Sequence, residues 1–240
     1  MILYGKIKIH IRNIAKHKGL SFTFYTFLNI MNRRRTFLPR SVFIKDVTRL
    51  SEAHLIKYMS PKHNGCFIDI GANIGRWTFS LARRRIKVYA FEPSPKIYDI
   101  LKNNAKEYGN VHLYNLALGE GNYDAEFLLH YICGHDSLVK KDSDFTGERM
   151  KVKVRTLDSF NIQNVGLIKI DTEGYEVPIL LGAKNTILKN KPRLVIEVHP
   201  PYKKQLREIL KILRGWNYKW KIRFNDNKPP PHIVADSKSA

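Results

Sequence analysis

"FIDIGANIG", residues 67–75, decides the fold. A run of apolar residues meets Asp69 and then breaks into a short loop framed by Gly71 and Gly75. A buried strand that ends in a glycine turn is how a nucleotide-type cofactor site opens, because glycine allows the tight turn and a close backbone approach. The loop reads G-x-x-x-G, with Asn73 where a dinucleotide fingerprint would carry a glycine to let the backbone touch a pyrophosphate. That pattern argues against NAD and for an adenosine cofactor without a pyrophosphate. Further on, at about the 20-residue spacing of ribose-binding acids, "KVYAFEP" (87–93) sets Glu92 at the end of the next strand. A carboxylate there is placed to bind both ribose hydroxyls.

Outward from this stretch the chain alternates short apolar runs with helical ones. "SVFIKDV" (41–47) reads as a strand and "RLSEAHLIKYM" (49–59) as a helix. After "CFIDI" (66–70) come a helix over 75–85, the strand 87–93, a helix over 95–109 ending at Gly109, and a third strand, "VHLYNLAL" (111–118). "DAEFLLHYI" (124–132) and "RMKVKVRTL" (149–157) alternate as an inserted β-hairpin should. "GLIKID" (166–171) and "RLVIEVH" (193–199) are buried strands around a helix over 176–190. An amphipathic helix over 203–216, with apolar residues at 206, 209, 210 and 213, precedes two last strands, "YKWKIRF" and "HIVA". This alternation predicts an α/β, Rossmann-like, doubly wound and mostly parallel sheet. Ligands in such sheets lie beyond the carboxyl ends of the strands, near the point where strand order reverses. The residues past each strand are therefore the candidates: Asp69 to Gly75, Glu92 to Ser94, Asn115 to Gly119, Asp171 to Gly174 and Glu197 to His199.

"FIDIGANIGRWTFSLA", "VYAFEPSP", "NLALGE", "KVRTLDSF", "LIKIDTEGYEVPILLGA" and "PRLVIEVH" follow one another in the order of the FkbM-type S-adenosylmethionine-dependent methyltransferases, which the chain resembles over roughly residues 50–200. "DTEGYE" is the most diagnostic of these, since general class I methyltransferases lack it. The resemblance implies a class I methyltransferase fold, which is expected to occupy 49–240; residues 1–48, whose basic start it does not cover, read from their own charge and apolar pattern as a basic, partly helical extension packed on the core. The resemblance also implies S-adenosylmethionine as cofactor. Asp69, Gly71, Ala72, Asn73 and Gly75 would shape the pocket for its methionine half. Glu92 and Pro93 would serve the ribose, Asn115 and Ala117 would flank the adenine, and Asp171 would lie beside the sulfonium. "GHDSL" (134–138) would cover the cofactor or the acceptor.

Methyl transfer to a hydroxyl needs alignment and a group to take the proton. Asp171, Glu173, Glu197 and His199 are the candidate bases, and His199 has the ordinary pKa best suited to neutral pH. Glu173 and Glu176 also read as structural acids at a helix start, and Asn115 as a strand-end turn residue. Lys169 with Asp171 and Glu197 partly resembles the Lys-Asp-Lys-Glu set of RNA ribose 2′-O-methyltransferases, in a different order along the chain. No metal is expected, because the histidines do not pair at i, i+4 and no CxxC occurs.

Composition sets the partners. The chain has 42 Lys and Arg against 21 Asp and Glu, a net charge of +21, and the excess sits on the flanks. Residues 1–40 hold nine Lys and Arg and no acid, while residues 200–240 hold ten against three acids. A hydroxylated acceptor is the partner expected first. RNA or an anionic membrane surface, met through residues 1–40 and 203–228, is the alternative that charge suggests, and DNA is not expected. Aromatic residues among the basic ones (Phe22, Phe24, Tyr25, Trp216, Trp220) would give an RNA partner stacking surfaces. "FTFYTFLNIM" (22–31) is too short to span a bilayer, and either packs on the domain or lies in an interface. Two cysteines, Cys66 and Cys133, form no framework, and no secretory leader is evident, so a cytoplasmic protein, peripheral at most, is expected.

Overall fold

The computed structural model describes residues 53–129, 148–225 and 228–238. The basic extension, the strand expected over 41–47 and the 134–138 loop lie outside the described residues. Ten strands are described: β1 Cys66–Ile70, β2 Val88–Phe91, β3 Val111–Tyr114, β4 Ala117–Leu118, β5 Tyr123–Leu129, β6 Glu148–Arg155, β7 Val165–Ile170, β8 Arg193–Glu197, β9 Tyr218–Asn225 and β10 Lys228–Ser237. Five α-helices accompany them: α1 Arg76–Ala82, α2 Pro95–Ala105, α3 Glu176–Gly182, α4 Lys184–Asn190 and α5 Tyr202–Gly215. Among the described residues no helix is long and apolar enough to cross a membrane.

Seven strands form one sheet in the order β3-β2-β1-β7-β8-β10-β9. Pairing is parallel from β3 to β8, while β10 runs antiparallel to both β8 and β9. The chain winds outward from β1 through β2 to β3, then returns to the other side of β1 as β7. The switch point therefore lies between β1 and β7, where ligands gather in open α/β sheets. All five residues of β1 and all six of β7 are buried, as central parallel strands covered on both faces must be.

Alternation along the strands splits the core in two. Ile68, Ile70, Ile168, Ile170, Leu194 and Ile196 face α3, α4 and α5. Phe67, Val88, Ala90, Leu167 and Val195 face the other side, with Trp77, Phe79 and Leu81 of α1 and Leu101 of α2. α5 buries Ile209 and Leu213 with Leu206 and Leu210 beside them, the stripe read from its sequence. Each fully buried aliphatic side chain contributes about 1.5–3 kcal/mol. α2 opens with Pro95, where the missing N–H costs nothing.

Three expected elements differ in detail. The helix expected over 49–59 is a 3-10 helix at Ala53–Tyr58 within the described residues. The third strand divides after Tyr114, and its last part, β4, joins β6 and β5 in a separate three-stranded sheet. The helix expected over 176–190 breaks at Ala183. There Gly182 lies against Gly119, so closely that an added Cβ would stand 1.8 Å from the Gly119 carbonyl oxygen. α4 then starts afresh on a carboxylate from another element: Asp158 accepts from the Asn185 and Thr186 amides at 3.0 and 2.8 Å and from the Thr186 hydroxyl at 2.7 Å.

Candidate active site

The loop after β1 turns by left-handed backbone at Gly71 (φ 76°), Asn73 (φ 52°) and Gly75 (φ 93°). Its five amides are all used inside the protein. Those of Gly71 and Ala72 donate to the Phe91 carbonyl, each at 3.0 Å, and that of Gly75 to the Ala72 carbonyl at 2.9 Å. The Asn73 amide donates to Glu92 Oε2 at 2.9 Å, and the Ile74 amide to Asn73 Oδ1 at 2.8 Å. A phosphate site needs amides that converge on the ligand. This loop spends its amides on the next strand and on itself, which fits a cofactor without a pyrophosphate.

Glu92 is buried, and its carboxylate is held at both oxygens, since Oε1 also accepts from the Ser94 amide at 2.9 Å. A carboxylate has about four lone-pair sites, so two backbone bonds orient the group toward a diol without exhausting it. Asn115 lies one strand over. Its side-chain amide donates to the carbonyls of Glu92 at 2.9 Å and Pro93 at 3.1 Å, which fixes the turn carrying the carboxylate. Ala117 is buried in β4. The glycine loop, Glu92, Pro93 and Asn115 are thus one hydrogen-bonded unit that suits the expected adenosine cofactor.

Asp69 is fully buried and accepts from the Thr78 hydroxyl at 2.6 Å, tying β1 to α1. It pairs in register with Lys169 of β7, whose Nζ stands 4.0 Å from Asp69 Oδ1 and 3.0 Å from Asp171 Oδ2. Burial pushes the Asp69 carboxyl above its ordinary range, against the pull of Lys169. Burial would raise Asp171 too, but the Lys169 ammonium and His199 outweigh it and hold Asp171 below the usual carboxylate range.

Asp171 begins the loop after β7, and its amide donates to the Ile70 carbonyl at 3.1 Å. An added Cβ at Gly71 would stand 1.9 Å from the Asp171 carbonyl oxygen, so only glycine lets the two loops meet. Glu173 takes left-handed backbone at φ 56°, followed by Gly174 at φ 109°. Across from them His199, at the end of β8, is buried. Its Nδ1 lies 2.8 Å from Glu176 Oε1, which also accepts from the Gly174 amide at 3.0 Å. A carboxylate only accepts here, so Nδ1 carries the hydrogen and Nε2 faces the cluster. Asp171 Oδ1, Glu173 Oε1 and Glu197 Oε1 stand 3.7, 3.6 and 3.7 Å from Nε2. The other Glu197 oxygen meets His232 Nε2 at 3.1 Å. Burial alone would lower the His199 pKa. The bond to Glu176 and the charges of Asp171 and Glu173 outweigh it and lift the imidazole to about 9. The ordinary pKa that recommends His199 as a base is thus moved by its surroundings. Burial, with the Asp171 charge, raises Glu197.

Of the strand-end candidates read from the sequence, Ala117 lies instead in β4, packed with Val152 and Val154 of the separate sheet. Asp171, Glu173, Glu197 and His199 are gathered in one cluster, with Lys169 behind Asp171. Glu176 carries more of the site than its reading as a helix-start acid suggested: it is fully buried and orients His199. Its position in "DTEGYE" was the available signal. Tyr175 of the same loop shares a hydrogen bond of 2.6 Å with the Tyr123 hydroxyl, which joins the inserted sheet to the cluster.

Residues 69–220 match the family model described as the methyltransferase FkbM domain. Among curated proteins the chain is similar to hexuronic acid methyltransferase AglP of Haloferax volcanii, 26% identical over 133 residues, covering 55% of this chain and 54% of that one. It is also similar to AMB antimetabolite synthetase AmbE of Pseudomonas aeruginosa, at 24% identity over 55% of this chain and 8% of that one. The chain thus spans about half of one relative and a small part of the other. Among solved structures, the methyltransferase FkbM of Methylobacillus flagellatus shares the fold with a TM-score of 0.53 at 20% identity, over 72% of this chain and 43% of that one.

Proposed function

The chain belongs to the FkbM methyltransferase family and uses S-adenosylmethionine, and from that premise we propose that it methylates a hydroxyl of a sugar, glycan, lipid-linked or small-molecule acceptor. One observation carries this reading: Asp171, Glu173, Glu197 and His199 converge in one cluster at the strand ends, and Asp171 meets the glycine loop at Gly71. The cofactor supplies a methyl group that is already activated. What the chain must add is a place where an acceptor oxygen is aligned in a near-attack geometry and relieved of its proton. Alignment of this kind accounts for several kcal/mol of a barrier, and a positioned proton acceptor for about 10²–10⁴-fold in rate. A cluster of carboxylates at the strand ends suits both tasks. The likeness to a hexuronic acid methyltransferase supports a sugar as the acceptor class.

The test is transfer of labelled methyl from S-adenosylmethionine to glycans containing hexuronic acid, followed by mild alkali. We expect label that survives alkali, as an ether does. Label released as methanol would mean a carboxyl acceptor, and label entering total RNA instead would favour the RNA alternative; either would overturn the hydroxyl reading of glycans.

A further inference from the structure

We propose that Asp171, Glu173 and His199 form a binding site for a divalent cation of the Mg2+ and Mn2+ class, on which the acceptor oxygen docks. The docking half rests on the hydroxyl-acceptor reading above; the cation site stands on its own geometry. One ligand atom from each of the three residues lies within 4.8 Å of the other two. His199 is the central observation. Its side chain is only 7% exposed, and its Nε2 is aimed at carboxylate oxygens of Asp171, Glu173 and Glu197 that stand 3.6–3.7 Å away. None of those three is a hydrogen bond, because charged partners in direct contact close to about 2.7–2.9 Å. Donor atoms each about 2.0–2.2 Å from a shared ion stand about 3–4 Å from one another. The spacing is that of ligands around a common centre.

The outer sides of these groups are anchored separately. His199 Nδ1 is held by Glu176, Asp171 Oδ2 by Lys169, and Glu197 Oε2 by His232. In each case the second atom of the same group faces the centre. An imidazole fixed through its far nitrogen by a buried carboxylate is the usual support of a metal-bound histidine, and a cation there would take the place of the proton that the surrounding carboxylates otherwise hold on Nε2. Glu197 flanks the site, where it can accept from an ion-bound water or hydroxyl. Two carboxylates and one imidazole favour a hard cation, and the imidazole tilts the choice toward Mn2+ over Ca2+. Three protein ligands leave positions open for an acceptor oxygen, which a cation there would hold and polarise. The residues come from two strand ends, 26 to 28 positions apart, so no i, i+4 spacing announces them.

The experiment titrates the full chain, stripped with EDTA, with MnCl2, following free Mn2+ by paramagnetic resonance. S-adenosylmethionine binding is measured in parallel by calorimetry. We expect one Mn2+ per chain, displaced by excess Mg2+. Glu173→Gln and His199→Gln should each weaken Mn2+ at least tenfold while melting cooperatively. Asp158→Asn, which removes bonds to the start of α4 rather than to the cluster, should bind Mn2+ as the native chain does, separating loss of a ligand from loss of stability. No binding up to millimolar Mn2+, binding of Zn2+ alone, or unchanged affinity in both ligand variants would overturn the site. Intact Mn2+ binding without label in any glycan would leave the cation site standing and fell the acceptor reading. Methylated glycan with no bound cation would do the reverse.

Discussion

Glu173 sits at φ 56°, a left-handed conformation that costs a residue with a β-carbon about 1–2 kcal/mol. Strain of this kind persists where function requires it, and here it carries a carboxylate toward His199. Glu173→Gly should therefore keep or slightly raise the thermal midpoint while abolishing methyl transfer. A clear fall in the midpoint, read by circular dichroism, would mean that Glu173 holds the fold rather than the site. Glu92 makes the opposite prediction. Its two oxygens satisfy the Asn73 and Ser94 amides, so Glu92→Ala should weaken S-adenosylmethionine at least tenfold and also cost about 1–3 kcal/mol in a denaturant melt. Glu92→Gln should not rescue it, because its amide nitrogen must face one of two N–H donors. Full affinity in the glutamine variant would separate the ribose from this carboxylate. The positions of both glutamates were legible, since residues past a parallel strand face the ligand side. Their partners were not. What His199 or Glu92 touches depends on where β8 and the glycine loop lie in space, and no local pattern encodes that.

At the scale of elements, "EVPILLGAKNTILKN" has unbroken helical period, yet it forms two helices. The break follows from Gly119, which belongs to a turn more than 60 positions earlier and leaves room only for a glycine at 182. Strand β3 ends early for a similar reason: the residues after Tyr114 pair with β6 of the inserted sheet. Strands and helices on the sheet were legible because burial on one or two faces writes a period into the sequence. These interruptions were not, because their causes are non-local. Asp158 is the clearest case. In "KVRTLDSF" it reads as one more acid, but it supplies three hydrogen bonds to the start of α4. Asp158→Ala should cost about 1–2 kcal/mol, the usual range for a lost cap. S-adenosylmethionine affinity should stay unchanged, as calorimetry on the same variant would read. A parallel loss of cofactor binding would show that α4 couples to the site.

For the whole molecule, the charge of +21 has to be reconciled with a site that is locally acidic. Asp69, Asp171, Glu173, Glu176 and Glu197 gather around Lys169, His199 and His232, whereas α5 and β9 carry Lys and Arg on their outer positions. A field of this kind predicts that any polyanion is held at the surface and not at the acidic site. A phosphodiester backbone approaching Asp171, Glu173 and Glu197 meets like charge, while a neutral hydroxyl does not. The two roles of charge then separate by salt. Binding of a homopolymer RNA to the full chain should weaken by orders of magnitude between 50 and 200 mM salt, as contacts that release counterions do. The same RNA, incubated with labelled S-adenosylmethionine at low salt where it is fully bound, should take up no methyl. Label in the bound RNA would mean that the surface field and the acidic site serve one substrate. RNA binding that ignores salt would remove the electrostatic account of the flanks.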